Sequence, residues 1–312
     1  MKCEGAVRAI LLRCIASAAL VGFAATAAHA QSPAIVSVCP MDGNLEFHRC
    51  ALQAARNIKP RSVVAGKPDM SGLWRRRTTT HEDLQAHPQT DDDHGGPSAI
   101  VDPPDGAIPY QLWVLARLPD NVKRYMHHNA ACLLSGVPVS MYQGTSRTYQ
   151  FVQTPQRLVI LSPVAHAWRL IPLDGTPFLS PAMRLWRGDS HGKWDGNTLV
   201  METRNQTGIP WLDQRGRFVT SDLVVDERLT MIDSNTIHYA VTLHDANVLT
   251  RPFTMAMAFR RVSQPDTEIK EDACYEGNQN GMSQQMSMGL RIFPGVSPDE
   301  AKAAAREFSL RH

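Results

Sequence analysis

The chain has 312 residues, 43% of them hydrophobic and 20% charged, with 32 Lys and Arg against 30 Asp and Glu. So even a balance excludes a basic nucleic-acid surface, or one made for anionic membranes, as the main partner. The length suits one large domain with extensions.

Residues 1–30 read as a signal peptide: Lys2, Arg8 and Arg13 form the charged end, Ile15 to Ala27 the apolar run, and Ala28-His29-Ala30 the cleavage site. The mature chain is therefore expected in the periplasm or outside the cell. No later apolar stretch is long enough to span a bilayer, so no stable membrane insertion is expected. Cys3 and Cys14 leave with the leader. Cys39, Cys50, Cys132 and Cys274 remain, and an even count in an exported chain points to disulfides. Three pairings exist on paper. Cys39–Cys50, which closes a short loop, and Cys132–Cys274, which ties a late segment to mid-chain, are favoured. Zinc lacks any C-x-x-C spacing to support it.

Residues 31–68 form an N-terminal arm with a short helix over Leu45–Ile58, ended by Pro60, a packed lid or strap. Gly72-Leu73-Trp74 then opens a β domain over 69–280. The stretch His81–Gly96, with three His and a run of Asp, reads as a solvated loop. Ile100–Tyr110 is a stiff, Pro-rich connector that holds Tyr110 at low entropic cost. A helix is expected over Leu118–Leu133, with His127 and His128 facing different ways. Strands follow at Arg147–Thr154, Arg157–Pro163, His166–Pro172, Asn197–Arg204, Leu223–Met231, Thr236–Leu243, Pro252–Val262 and Glu268–Tyr275, with polar turns between them. Many short strands without interleaved helices mean an antiparallel barrel or sandwich. The tail, 281–312, carries a helix over Ala301–Leu310 behind the cap Ser297-Pro298-Asp299-Glu300.

The densest motif is Arg184–Val200, RLWRGDSHGKWDGNTLV. Its Asp195-Gly196-Asn197 reads as a hairpin turn. Within it, Gly188–Gly192 matches the G-x-S-x-G of a serine-hydrolase elbow. That elbow needs a helix after the Ser, and here a hairpin follows, so a Gly-rich loop bonding nearby backbone is the better reading.

Together, SGLW (71–74), IVDPPDGAIPY (100–110), YQFVQTP (149–155), HAWRLIPLDG (166–175), the 184–200 motif, DERLT (226–230), TRPFTM (250–255) and ACYEGN (273–278) resemble a large family of exported, mostly uncharacterised bacterial proteins. The resemblance implies one β-barrel-like domain, and GLW is similar to the first strand of lipocalin-like barrels, where the Trp plugs one end. Such genes are numerous in bacteria that degrade aromatic compounds. The chain departs from the family at Tyr275, where His is common, at His191, where Arg is common, and at Phe253, where Trp is usual. A remodelled pocket is implied.

The expected fold is thus mainly β, an antiparallel lipocalin-like barrel with short helices at both ends. Alternation puts His166 and Trp168 on one face of their strand and Arg169 and Ile171 on the other. An inward Arg169 needs a partner, and Asp189, Glu227 and Glu276 are the candidates. In the strand Thr236–Leu243, His238 and Thr242 oppose Tyr239 and Val241. Tyr275 and Glu276 directly follow Cys274, which would hold them rigidly. A lumen lined by Trp168, Tyr239 and other aromatics, with His166 as base, Arg169 as oxyanion donor and Tyr275 or Tyr110 as acid, suits a hydrophobic, aromatic ligand. The reading is a lyase or isomerase without metal or organic cofactor, with lignin-derived aryl dimers as one concrete substrate. The alternative is a non-catalytic carrier for a hydrophobic ligand. A homo-oligomer is compatible with either.

Overall fold

The structure, a computed structural model, describes residues 37–60, 62–77, 82–90, 94–142, 148–264, 267–270, 272 and 274–312. The expected leader, 1–30, and parts of the 81–96 loop lie outside these residues.

Nine strands build the barrel: β1 Gly72–Arg76, β2 Thr148–Gln153, β3 Arg157–Ser162, β4 Ala167–Pro172, β5 Asp189–Asp195, β6 Thr198–Arg204, β7 Val224–Asp233, β8 Thr236–His244 and β9 Phe253–Arg261. Their order is β4-β3-β2-β1-β9-β8-β7-β6-β5, antiparallel throughout. Each strand therefore pairs with its sequence neighbour, and β1 with β9 joins the two halves. A tenth strand, Ile100–Asp102, continues along the edge of β9 beyond β1. The sheet comes near to closing at one seam, between β4 and β5, where no backbone ladder forms.

Strand parity decides the filling. In β8, Ile237, Tyr239, Val241 and Leu243 are fully buried, with Tyr239 opposite both Leu229 and Met257. In β7 the inward set is Val225, Glu227, Leu229 and Met231. Trp74 is buried as expected; its Nε1 donates to the Met70 carbonyl at 2.8 Å and the Arg261 guanidinium lies 4.2 Å over its ring.

Among the described residues the inward side chains of the barrel pack together as one buried cluster. Arg169 extends inward from β4 and uses its donors on every side. Nε donates to Ser190 Oγ at 2.9 Å, Nη1 to Glu227 Oε1 at 2.9 Å, and Nη2 to Thr203 Oγ1 at 2.7 Å and also to Glu227 Oε2. The Tyr239 hydroxyl donates to Glu227 Oε1 at 2.7 Å. This network joins β4 to β5, β6, β7 and β8, so it spans the seam that the backbone leaves open. Gly192 completes the seam: a Cβ there would stand 2.8 Å from Leu173 Cδ2 and 3.1 Å from Ile171 Cγ2. Ser190 and Gly192 thus serve packing, on a strand rather than the expected loop.

Four helices surround the barrel. α1, Asn44–Ala54, lays Phe47 and Ala51 against Ile232 and Ala258, and the Cys39–Cys50 disulfide ties it to the preceding loop. α2 runs over Leu112–Arg124, earlier than expected, because Pro119 sits on its exposed side and does not end it. α3, Cys274–Ser287, takes in Cys274 and Tyr275 from the end of the last expected strand, Glu268–Tyr275, part of which lies outside the described residues. The edge of β9 is occupied by β1 and by Ile100–Asp102, and among the described residues of the expected strand Asp272 makes an isolated parallel bridge to Val164. The Cys132–Cys274 disulfide and Asn278 Nδ2, which donates to the Ala130 carbonyl at 2.5 Å, seat the first turn of α3 on the 3-10 turn His128–Ala131. α4, Pro298–Arg311, begins at the expected capping box of Ser297 and Glu300. Among the described residues no helix is long and apolar enough to cross a membrane.

Removing one member of a buried ion pair strands the other charge, which typically destabilises by about 3–5 kcal/mol, whereas replacing both with apolar residues is far milder. Glu227→Leu alone is therefore expected to unfold at much lower urea, and Arg169→Met with Glu227→Leu together to recover most of the loss. A single variant as stable as the double would show the pair to be dispensable.

Candidate functional site

The expected catalytic constellation does not assemble. His166 lies on the turn before β4, exposed, with a φ of 49°. The turn ends the alternation, so the face it was expected to share with Trp168 leads outside: Trp168 is 63% exposed. Tyr275 is 59% exposed on α3, and Glu276 is exposed beside it, because the segment is helical. Tyr110 is buried away from Arg169, its hydroxyl donating to the Phe218 carbonyl at 2.9 Å, and burial raises its pKa well above the usual value. Asp189 accepts from the Leu179 amide at 2.6 Å and from His191 Nε2 at 3.0 Å instead of from Arg169. Of the expected residues, only Arg169, Glu227 and Tyr239 come together, and they do so as packing. Burial opposes the Arg169 charge, but Glu227 outweighs it and leaves the pKa above the ordinary value. Tyr239 is likewise pushed well up, by burial and then by Glu227. Four of its five N–H groups are committed to Ser190, Thr203 and Glu227, so the Arg169 guanidinium is held as a structural bridge between strands.

A large recess lies on the other side of the wall. The outward face of β6, β7 and β8 carries Thr198, Val200, Asp226, Arg228, Thr230, His238, Ala240, Thr242 and His244. Here the floor is built of short side chains that pair across strands: Thr198 with Thr230 at 2.9 Å and Thr242 with Thr254 at 2.8 Å. One bank is α1, through His48, Leu52 and Ala55; the other is Leu173, Gly175 and Phe178, from the loop after β4. The enclosed groove measures about 1140 Å³.

Imidazoles mark three places in it. His48 Nδ1 and His238 Nε2 lie 3.0 Å apart, linking α1 to β8, with the Phe47 ring edge-on to His238. His244 Nε2 lies 3.0 Å from Asp226 Oδ2, close enough for an ion pair although not aligned as a hydrogen bond. The His191 ring stands 4.3 Å from that of Phe178. Burial, then the like charges of His48 and Arg228, depress the His238 pKa to about 3. Burial followed by Arg49 also lowers that of His48, which Asp102 partly offsets. The pair is therefore neutral, one ring donating to the other.

Alternation had already put His238 and Thr242 on one face. What it could not supply is α1, since His48 meets His238 from 190 residues away. Among the described residues no group of three or more His, Cys, Asp or Glu is placed to hold a metal. Comparison with family models, curated proteins and solved structures found no match to this chain.

The low His238 pKa has a pH consequence. Between about pH 6.5 and about 3 the unfolded chain binds a proton that the folded ring refuses, so stability is full above that window and declines as pH falls through it. The slope from this one group is at most about 1.4 kcal/mol per pH unit. Urea unfolding at pH 7, 6, 5 and 4 should show that decline, and His238→Gln should flatten it; equal slopes in the two proteins would contradict the assignment.

Proposed function

We propose that this protein binds an elongated, largely apolar small molecule, aromatic in at least one part, in the outer groove, and that it works as a carrier in the periplasm or outside the cell. One observation carries the reading: Arg169 is bound inward to Glu227, whereas the outer groove has room for a small molecule, with Leu52, Leu173 and Phe178 on its banks and Thr, His and charged side chains over its floor. Leu52, Leu173 and Phe178 offer surface to an apolar body, and the Thr hydroxyls and imidazoles orient its polar ends. The two disulfides support export, because such bonds persist in oxidising compartments.

A lyase or isomerase acting on the same molecule is the second reading, favoured by the His244–Asp226 pair at 3.0 Å on the groove floor. A carboxylate beside an imidazole orients it as a general base near neutral pH. The carrier reading stands first because His166, Tyr275 and Arg169, the expected base, acid and oxyanion donor, do not converge.

The test uses the fluorescent apolar probe anilinonaphthalene sulfonate, then an aryl-ether dimer followed by mass spectrometry. Thr242→Trp, which fills the floor, is expected to weaken probe binding by about tenfold or more, a loss of about 1.4 kcal/mol; unchanged affinity would remove the groove from consideration. A carrier returns the dimer intact. Product formed by the native protein and lost in His244→Asn would establish the second reading instead.

A further inference from the structure

Arg187, just before β5, is a cation without a counter-ion among the described residues. Its Nη1 donates to the Trp168 carbonyl at 3.0 Å, across the seam. Its Nε is shut off from solvent and has no hydrogen-bond partner. Glu227, the carboxylate whose charge acts on Arg187, is engaged by Arg169 and Tyr239. Burial, then the positive charge of Arg169, depresses the Arg187 pKa to about 10. Arg187 as a whole is part-buried, but its Nε is a donor shut off from solvent with nothing to bond, which is costly, so a partner is expected there.

The surroundings show which partner. Arg187 lines a small cavity with Ser135, Ser140 and Ser162 on its polar side and Leu134, Val164, Ala165 and Ala167 around them. The Ser140 hydroxyl is also sealed from solvent and unpartnered. Ser135 Oγ is within 3.1 Å of His128 Nε2. The cavity leaves about 10 Å³ for the centre of a water-sized sphere, room for one such body. Its polar lining is a guanidinium and hydroxyls, with no carboxylate, so a cation has nothing to bind. A water would satisfy the Nε–H but leave the charge uncompensated. A monatomic anion does both, and hydroxyls turn their hydrogens toward it.

We propose that this cavity is a halide site, holding a single chloride between Arg187 and Ser140 beside the β4–β5 seam. The ion neutralises Arg187 where Arg169 and Arg187 would otherwise repel, and so helps to hold the seam closed. The site is separate from the outer groove and does not depend on the groove's ligand.

Thermal unfolding in sodium chloride and in sodium gluconate at equal ionic strength reads the site directly. Chloride is expected to raise Tm by about 2–4 °C, the shift that modest ligand linkage gives a domain of this size. Arg187→Met and, separately, Ser140→Val should lose that difference; Ser140→Val removes only one hydroxyl and serves if the Arg variant fails to fold. Crystals soaked in bromide should show anomalous density in the cavity. Equal Tm in the two salts, a chloride effect that persists in both variants, or a cavity holding water in the bromide soak would each overturn the proposal.

Discussion

The buried pair of Arg169 and Glu227 is the constraint to which the rest of this barrel answers. The backbone ladder stops between β4 and β5, and one guanidinium bridges the gap by bonding to residues on three other strands. Two charges taken out of water are tolerable only when every donor and acceptor is met. That requirement fixes Ser190, Thr203 and Tyr239 as polar residues in otherwise apolar inward rows. It also gives the Gly188–Gly192 motif a structural reason for its Ser and its glycines. Gly188 is left-handed, at a φ of 69°, and packs where a side chain would strike the Arg204 carbonyl; Gly192 lets β4 approach.

A packed lumen moves the interesting chemistry to the outer surface. Inward positions of the wall are committed to the core, so the outward positions of the same strands are free to carry Thr, His and charged side chains. These become a site only because α1 and the 173–178 loop rise on either side. The Cys39–Cys50 bond constrains the chain leading into α1, and the neutral His48–His238 contact fastens that helix to the floor. The arm that the sequence suggested as a strap is thus one bank of the groove.

Much of this was legible in the residues. Alternation in Thr236–Leu243 set Tyr239 and Val241 on the face opposite His238 and Thr242, and the cost of an inward Arg named Glu227, with Asp189 and Glu276, as candidate partners for Arg169. Of the three pairings open to four cysteines, the favoured one, Cys39–Cys50 with Cys132–Cys274, is the one formed. Parity, however, says which way a side chain points, not how far across a barrel it extends. An Arg long enough to meet the opposite wall turns an expected cavity into a filled core. His166 and Tyr275 fall elsewhere for separate reasons: a left-handed turn cancels alternation before β4, and Tyr275 stands in the first turn of α3, which the Cys132–Cys274 bond seats on the His128–Ala131 turn. The groove itself is a long-range product, since nothing near His238 in the sequence announces His48.

The central claim is that the inside of the wall is structure and the outside is the binding surface. A crystal soaked with a bromine-labelled apolar probe, such as a bromonaphthol, tests it most directly. The account predicts anomalous density over Thr230 and Thr242, between α1 and Phe178, with the Arg169–Glu227 pair undisturbed. Density inside the barrel, with that pair parted to admit it, would contradict the account.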